Sequence, residues 1–184
     1  MDTATNSEKF EMKIQNLYSN EKKLENELRI LFMKTVPDEL KTFFQWAFVE
    51  NHIAIDNLNK IMSRLMIAER ETTDTIFNST ITGLNATLLT HREDENSMQK
   101  AISIYYHSLA GYQVKMFSGA LAVSVEAGNS YSSELLSECL NNKVEIKKAI
   151  QVLENKIIKQ NKTEVHPAAG SLVSSPAEPI RAAI

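Results

Sequence analysis

Apolar residues recur near the start of the chain at steps of four and three: Phe10, Ile14, Leu17, Leu24, Leu28, Leu31. That is the period of a helix with one buried face. One step is a seven. The position it skips is Glu21, within LYSNEKKLENEL, so a carboxylate stands on a seam that should face a core.

The same period predicts four long helices. Helix A covers residues 8–34, with Ser7 as its capping residue and Glu8 in its first turn. TVPDELK is a tight connection, because Pro37 disfavours helix at Val36 and Asp38 can cap the next helix. Helix B covers 39–68 on Phe43, Ala47, Glu50, Ala54, Leu58, Ile61 and Leu65, and the polar patch ERETTDT ends it. Residues 75–90, TIFNSTITGLNATLLT, form a short extra helix although β-branched residues weaken the signal, and HREDEN is a charged loop. Helix C covers 97–127 on Met98, Ile102, Tyr105, Leu109, Tyr112, Met116, Ala120 and Val123. Gly128-Asn129 stops it. Helix D covers 132–160 on Leu136, Cys139, Asn142, Ile146, Ile150, Leu153 and Ile157. Beyond it, residues 161–184 are rich in Pro, Ala and Ser without a sustained period, and are expected to be a disordered, dispensable tail.

Loop lengths set the topology. The A–B and C–D connections are short, so each pair is an antiparallel hairpin. About thirty residues separate B from C, which allows a crossover along the bundle and makes B and C parallel. The expectation is an all-α, ferritin-like four-helix bundle over residues 1–160, with the extra short helix in the long crossover.

Composition narrows the function classes. The 184 residues suffice for one domain, and 43% hydrophobic and 23% charged residues are ordinary for a globular chain. A net charge of −3 gives no pull toward nucleic acid or an anionic membrane. The single cysteine, Cys139, excludes a disulfide framework within the chain and a cysteine-based metal site. MDTATNSEKF has no apolar core of a secretory signal and no run is long enough to span a bilayer, so a cytoplasmic location is expected. There is no phosphate loop, nucleophile elbow or zinc spacing.

The polar seam positions carry the remaining chemistry. Glu21 lies about fifteen residues before the A–B turn and Glu50 about thirteen after it, so at 1.5 Å per residue they share a height. Asn142 and Tyr112 stand at comparable distances from the C–D turn. Two carboxylates facing each other inside a bundle need a proton or a cation between them. A dimetal site would add histidines one helical turn from its acids, yet Glu50 is followed at that spacing by Ile53, helix D has no histidine, and His107 has no acid within two turns on its helix. The expectation is a metal-free layer in which Glu21 and Glu50 share a proton, joined by Tyr112 or Asn142, and which fixes register. A two-carboxylate metal site and a mistaken seam are the alternatives. His107 is expected to be a half-exposed helical residue, Cys139 a small buried hydrophobe, and Lys143, Lys147, Lys148, Lys156 and Lys159 a solvated face.

With these residues in view the chain resembles the YciE/YciF family of bacterial ferritin-like proteins over roughly residues 11–158. Leu17, Tyr18, Glu21, Lys22 and Leu24 are similar to that family's opening, PDELKTFF to its second-helix start, TGLNA to a Gly-Leu step in its middle helix, and Leu109, Ala110, Gly111, Tyr112 to the close of a third-helix motif. The departures fall on the family's ligands. Ala47 stands for a histidine; Tyr105, Tyr106, His107, Ser108 stand for Glu-His-Tyr-Glu; Thr87, Asn142, Lys143 and Lys147 stand for acids. Glu21 and Glu50 remain. The resemblance implies the fold and a stress-associated bacterial setting.

The reading is therefore a non-catalytic structural or interaction protein, self-associating as a homo-oligomer, specifically a dimer, with no catalytic, cofactor or metal residues assigned. The alternative is an iron- or manganese-binding oxidase or iron-handling protein with a reduced site. A small-molecule binder using the polar layer is a third class.

Overall fold

The computed structural model describes residues 6–33, 38–91 and 93–164, the last four by backbone alone. It contains α1 (Asn6–Met33), α2 (Asp38–Leu65), α3 (Thr75–Thr90), α4 (Glu95–Glu126) and α5 (Ser130–Glu164), and no strand among the described residues. All five predicted helices are present. Helix α5 runs four residues past its expected end, and the tail expectation from 165 onward lies outside the described residues.

The ends follow local chemistry. Asp94 caps α4, its carboxylate accepting from Ser97 N at 3.1 Å. Gly128, at φ 66°, closes α4 with bonds from Gly128 N to Val125 O and from Asn129 N to Ser124 O, both 3.0 Å. The 5→2 and 6→1 pattern is a left-handed helix stop that glycine adopts without strain. Helix α2 stops three residues earlier than expected by the same device. Met66 takes φ 54°, and Ile67 N reaches Met62 O at 2.9 Å. A non-glycine residue there is uncommon, and Met66 is almost wholly exposed.

Helix α1 packs on α2 and α4, and α5 packs on α2 and α4. Two hydrophobic clusters fill the bundle. One joins Leu24, Leu28 and Leu31 of α1, Phe43 and Phe44 of α2, Tyr106 and Leu109 of α4, and Ile146, Ile150 and Ile157 of α5. The other joins Phe10, Ile14 and Leu17, Ala54, Leu58 and Ile61, Phe117 and Ala120, and Leu136 and Cys139. The first cluster thus holds the beginnings of α2 and α4 and the ends of α1 and α5. Helices α2 and α4 are parallel, as the crossover length required.

The crossover climbs α1. Gln15 Nε2 donates to Ala68 O at 3.1 Å, Ser19 Oγ accepts from Thr72 N at 3.3 Å, Lys23 Nζ donates to Thr72 O at 2.9 Å, and Asn85 Nδ2 donates to Glu27 at 3.1 Å. Helix α3 then lies on α4. A Cβ at Gly83 would stand 2.8 Å from Tyr105 Cε1, so the predicted Gly-Leu step leaves room for a ring of α4 against α3.

That covering corrects the face of α4. The seam expected on Tyr105, Tyr112 and Met116 is only half-buried, and Tyr105 and Tyr112 pack on the first cluster from the α3 side. The residues turned into the bundle are Tyr106, Gln113, Phe117 and Ser124, one position on. A helix apolar on two sides, one for the bundle and one for α3, gives no single seam.

Candidate functional site: a polar layer across the bundle

At mid-height each of the four long helices contributes two consecutive polar residues: Asn20-Glu21, Glu50-Asn51, Tyr112-Gln113 and Asn142-Lys143. Neighbours on a helix point about 100° apart. One of each pair therefore faces the bundle axis and the other faces a groove between helices.

Glu21, Asn51, Gln113 and Lys143 form the inner set, all at most 3% exposed. Lys143 Nζ lies 2.6 Å from Glu21 Oε2. Gln113 Nε2 donates to Glu21 Oε1 at 2.7 Å. Asn51 Nδ2 donates to Glu21 O at 3.0 Å. The Lys143 ammonium also lies 5.7 Å from the centre of the Phe117 ring, within reach of a cation–π contact. Desolvation, with the charge of Glu21 adding to it, pushes the Tyr106 phenol far above its ordinary value, so it is neutral.

The outer residues pair in two grooves. Between α2 and α5, Glu50 accepts from Asn142 Nδ2 at 2.6 Å and from Trp46 Nε1 at 3.1 Å. Between α1 and α4, Asp74 collects the donors: Asn20 Nδ2 and Tyr112 Oη each at 2.8 Å from Oδ2, and Phe77 N at 3.0 Å from Oδ1, which caps α3. Burial works to raise the Asp74 pKa, but the bonds from Phe77, Asn20, Tyr112 and Ile76 together outweigh it and hold the carboxyl below its ordinary range. Tyr112 is pushed up to about 12, by burial first and then by the Asp74 bond and charge.

The height arithmetic holds, since Asn51 of α2 reaches the backbone of Glu21. The expected shared proton does not. Glu21 and Glu50 take separate partners, and the charge opposite Glu21 is Lys143, a residue assigned above to a solvated face. Asn142 joins the layer through Glu50, whereas Tyr112 goes to Asp74. Lys143 was legible after all: Leu136, Cys139, Lys143, Ile146, Ile150, Leu153, Ile157 alternate steps of three and four without a break. Its neighbour Asn142 also satisfies the helical period and lacks the charge that argues for solvent. Gln113 sits on the α4 face that was displaced by one. Asp74 lies outside every predicted helix, and only its position before α3 marks it as a cap.

The remaining candidates also resolve. His107 has an acid partner on another helix, Glu154 of α5, with Nδ1 2.6 Å from Oε2. Cys139 is buried, accepts from Asn57 Nδ2 at 3.7 Å, and has its thiol pushed up to about 11 by burial. That leaves it protonated and inert at neutral pH. Lys148 and Lys156 are exposed, paired with Glu145 and Glu39.

A dimetal centre does not fit these residues. Both oxygens of Glu21 are engaged, one by an ammonium, and both oxygens of Glu50 are engaged by Trp46 and Asn142. Among the described residues no group of three or more His, Cys, Asp or Glu side chains could hold a metal ion. A divalent cation beside Lys143 would meet like charge in a low-dielectric interior.

A second surface feature is an apolar groove of about 720 Å³ along α2 and α5, lined by Phe43, Trp46, Ala149, Val152 and Leu153, with Asp38 and Glu39 at its rim. No described helix is long and apolar enough to cross a membrane.

Residues 5–163 match the model of a family described as a domain of unknown function, DUF892. No curated protein matches the sequence. Among solved structures, the E. coli stress protein YciF is similar over 86% of this chain and 99% of its own, at TM-score 0.79 and 16% identity. YcfI, a putative structural protein from Rhodopseudomonas palustris, is similar over 82% and 95%, at TM-score 0.76 and 15% identity. At these identities the likeness is one of fold, the ferritin-like helical bundle.

Proposed function

The chain belongs to the DUF892 family, and we propose that it is a non-catalytic, stress-associated, cytoplasmic bundle of structural or interaction type that works without the dimetal centre of its fold. One observation carries the reading: the positive charge opposite Glu21 is a side chain of the protein itself, Lys143, at 2.6 Å in the buried interior. A buried carboxylate needs a compensating charge or proton, and an internal lysine supplies it without metal. The stress association rests on the fold shared with YciF, a named stress protein. The test is metal analysis of the purified chain after incubation with Fe(II), Mn(II) and Zn(II), with thermal unfolding alongside. The expected result is less than stoichiometric metal and an unchanged Tm. Stoichiometric metal that raises Tm and is lost with Glu21→Gln would favour the iron- or manganese-binding alternative.

Self-association as a dimer is part of the same reading. The groove along α2 and α5 supports it: Val152 is 67% exposed there, and apolar surface of this kind marks a contact. Sedimentation should give a dimer that Val152→Lys converts to monomer. A wild-type monomer at micromolar concentration would contradict the dimer.

A further inference from the structure

The inner polar set leaves two oxygens without protein partners. Gln113 Oε1 and Asn51 Oδ1 are fully buried, and neither has a hydrogen-bond partner among the described residues. Neither amide can be turned to relieve this. Flipping Gln113 would bring its oxygen against Glu21 Oε1, where its Nε2 now donates at 2.7 Å. Flipping Asn51 would bring its oxygen against Glu21 O, where its Nδ2 now donates at 3.0 Å. Acidic and carbonyl acceptors thus fix both amides with their oxygens pointing away from Glu21. On the outer side of the same layer Asn20 repeats the pattern, its Nδ2 held by Asp74 and its Oδ1 buried and unpartnered.

The unpartnered atoms are all acceptors, so whatever meets them must donate hydrogen bonds. Lys143 uses one of its three N–H groups on Glu21 and turns toward the Phe117 ring, and it does not reach either oxygen. The Glu21–Lys143 pair already sums to zero charge. An added metal cation or ammonium would meet the Lys143 charge without a free carboxylate to offset it. An anion could not donate. A neutral molecule that donates hydrogen bonds matches both oxygens.

We propose that the layer binds internal water, with Gln113 Oε1 and Asn51 Oδ1 as the acceptors it meets. Buried water pairs polar groups that the protein leaves unpaired, and two stranded carbonyl oxygens in a core would otherwise each cost free energy. Glu21 of α1 orients both amides, which α2 and α4 supply.

The test is a crystal structure of the full chain at a resolution that places ordered solvent, with a second crystal soaked in Mn(II) and read by anomalous scattering. The expected result is ordered solvent within about 3.2 Å of Gln113 Oε1 and of Asn51 Oδ1, with no anomalous signal. Oxygen-17 relaxation dispersion in solution should count at least one long-lived water that Asn51→Leu removes. If that variant fails to fold, the wild-type density still decides. Finding both oxygens contacted only by protein atoms would overturn the proposal. An anomalous peak at the site would overturn it too, by making the ligand a cation.

Discussion

Glu21 and Asp74 are carboxylates at the same level of one bundle, held by opposite means. Glu21 lies at 1% exposure and faces an ammonium; Asp74 lies at the margin under the crossover and is held by neutral donors, a backbone N–H, an amide and a phenol. The difference follows from solvent access. At the margin water shares the work of solvating a charge, and neutral dipoles suffice to hold the carboxyl ionised. In the interior the desolvation of an ion costs several kcal/mol, and only an opposite charge with further hydrogen bonds offsets it.

The largest expected effect breaks the interior half of that comparison. Lys143→Met leaves Glu21 buried opposite an apolar side chain, and equilibrium unfolding in urea should read a loss of roughly 3–5 kcal/mol. Glu21→Gln, which a shared-proton layer would tolerate, should also destabilise, because it strands the Lys143 charge. An unchanged midpoint for Glu21→Gln would mean that Lys143 has another partner.

Asp74→Ala comes next. It removes the α3 cap, for which about 1 kcal/mol is typical, and leaves the donors of Asn20 and Tyr112 without an acceptor. A total of roughly 2–3 kcal/mol is expected, with hydrogen exchange rising first along residues 66–90, since the crossover and α3 lose their anchor. Exchange rising instead across the whole bundle would contradict a local role.

The pH dependence separates the two regions further. Asp74 has a folded pKa below its ordinary 3.8, so the unfolded chain takes up the proton first on acidification. Its contribution is whole above that ordinary value and is lost as pH falls through the folded one. Tyr112 has the opposite sign. Raised to about 12 from 10.0, it contributes below 10.0, and the contribution is lost as pH rises through 12. Asp74→Asn should flatten the acid limb of stability against pH. An acid limb identical to wild type would show that other carboxylates set it.

The smallest effect is on the surface. Lys148→Ala removes the partner of Glu145, both side chains more than 60% exposed, and should change stability by no more than about 0.5 kcal/mol. A larger loss would mean that Lys148 serves an interface.

The sequence pattern reaches the bundle more fully than the layer, for physical reasons. Helix existence, parallel α2 and α4, and the level of Glu21 with α2 follow from period and loop length. Those are properties of the backbone. The partner of Glu21 is a property of side chains on diagonal helices, and two neighbouring residues of α5, Asn142 and Lys143, both satisfied the period. The charge of Lys143 argued for solvent, and only the strict alternation of threes and fours argued for the core. Gln113 was hidden because α3 makes α4 apolar on a second side. Asp74 was hidden because a cap that also gathers donors from two other helices leaves no local mark beyond its place before the helix.

The most direct test of the central claim is a double-mutant cycle on the interior pair, read by urea unfolding of wild type, Glu21→Leu, Lys143→Met and the double variant. If Lys143 is the charge that Glu21 requires, each single variant loses roughly 3–5 kcal/mol while the double variant recovers to near wild type, giving a coupling of several kcal/mol. Additive losses, or a Lys143→Met variant as stable as wild type, would contradict it.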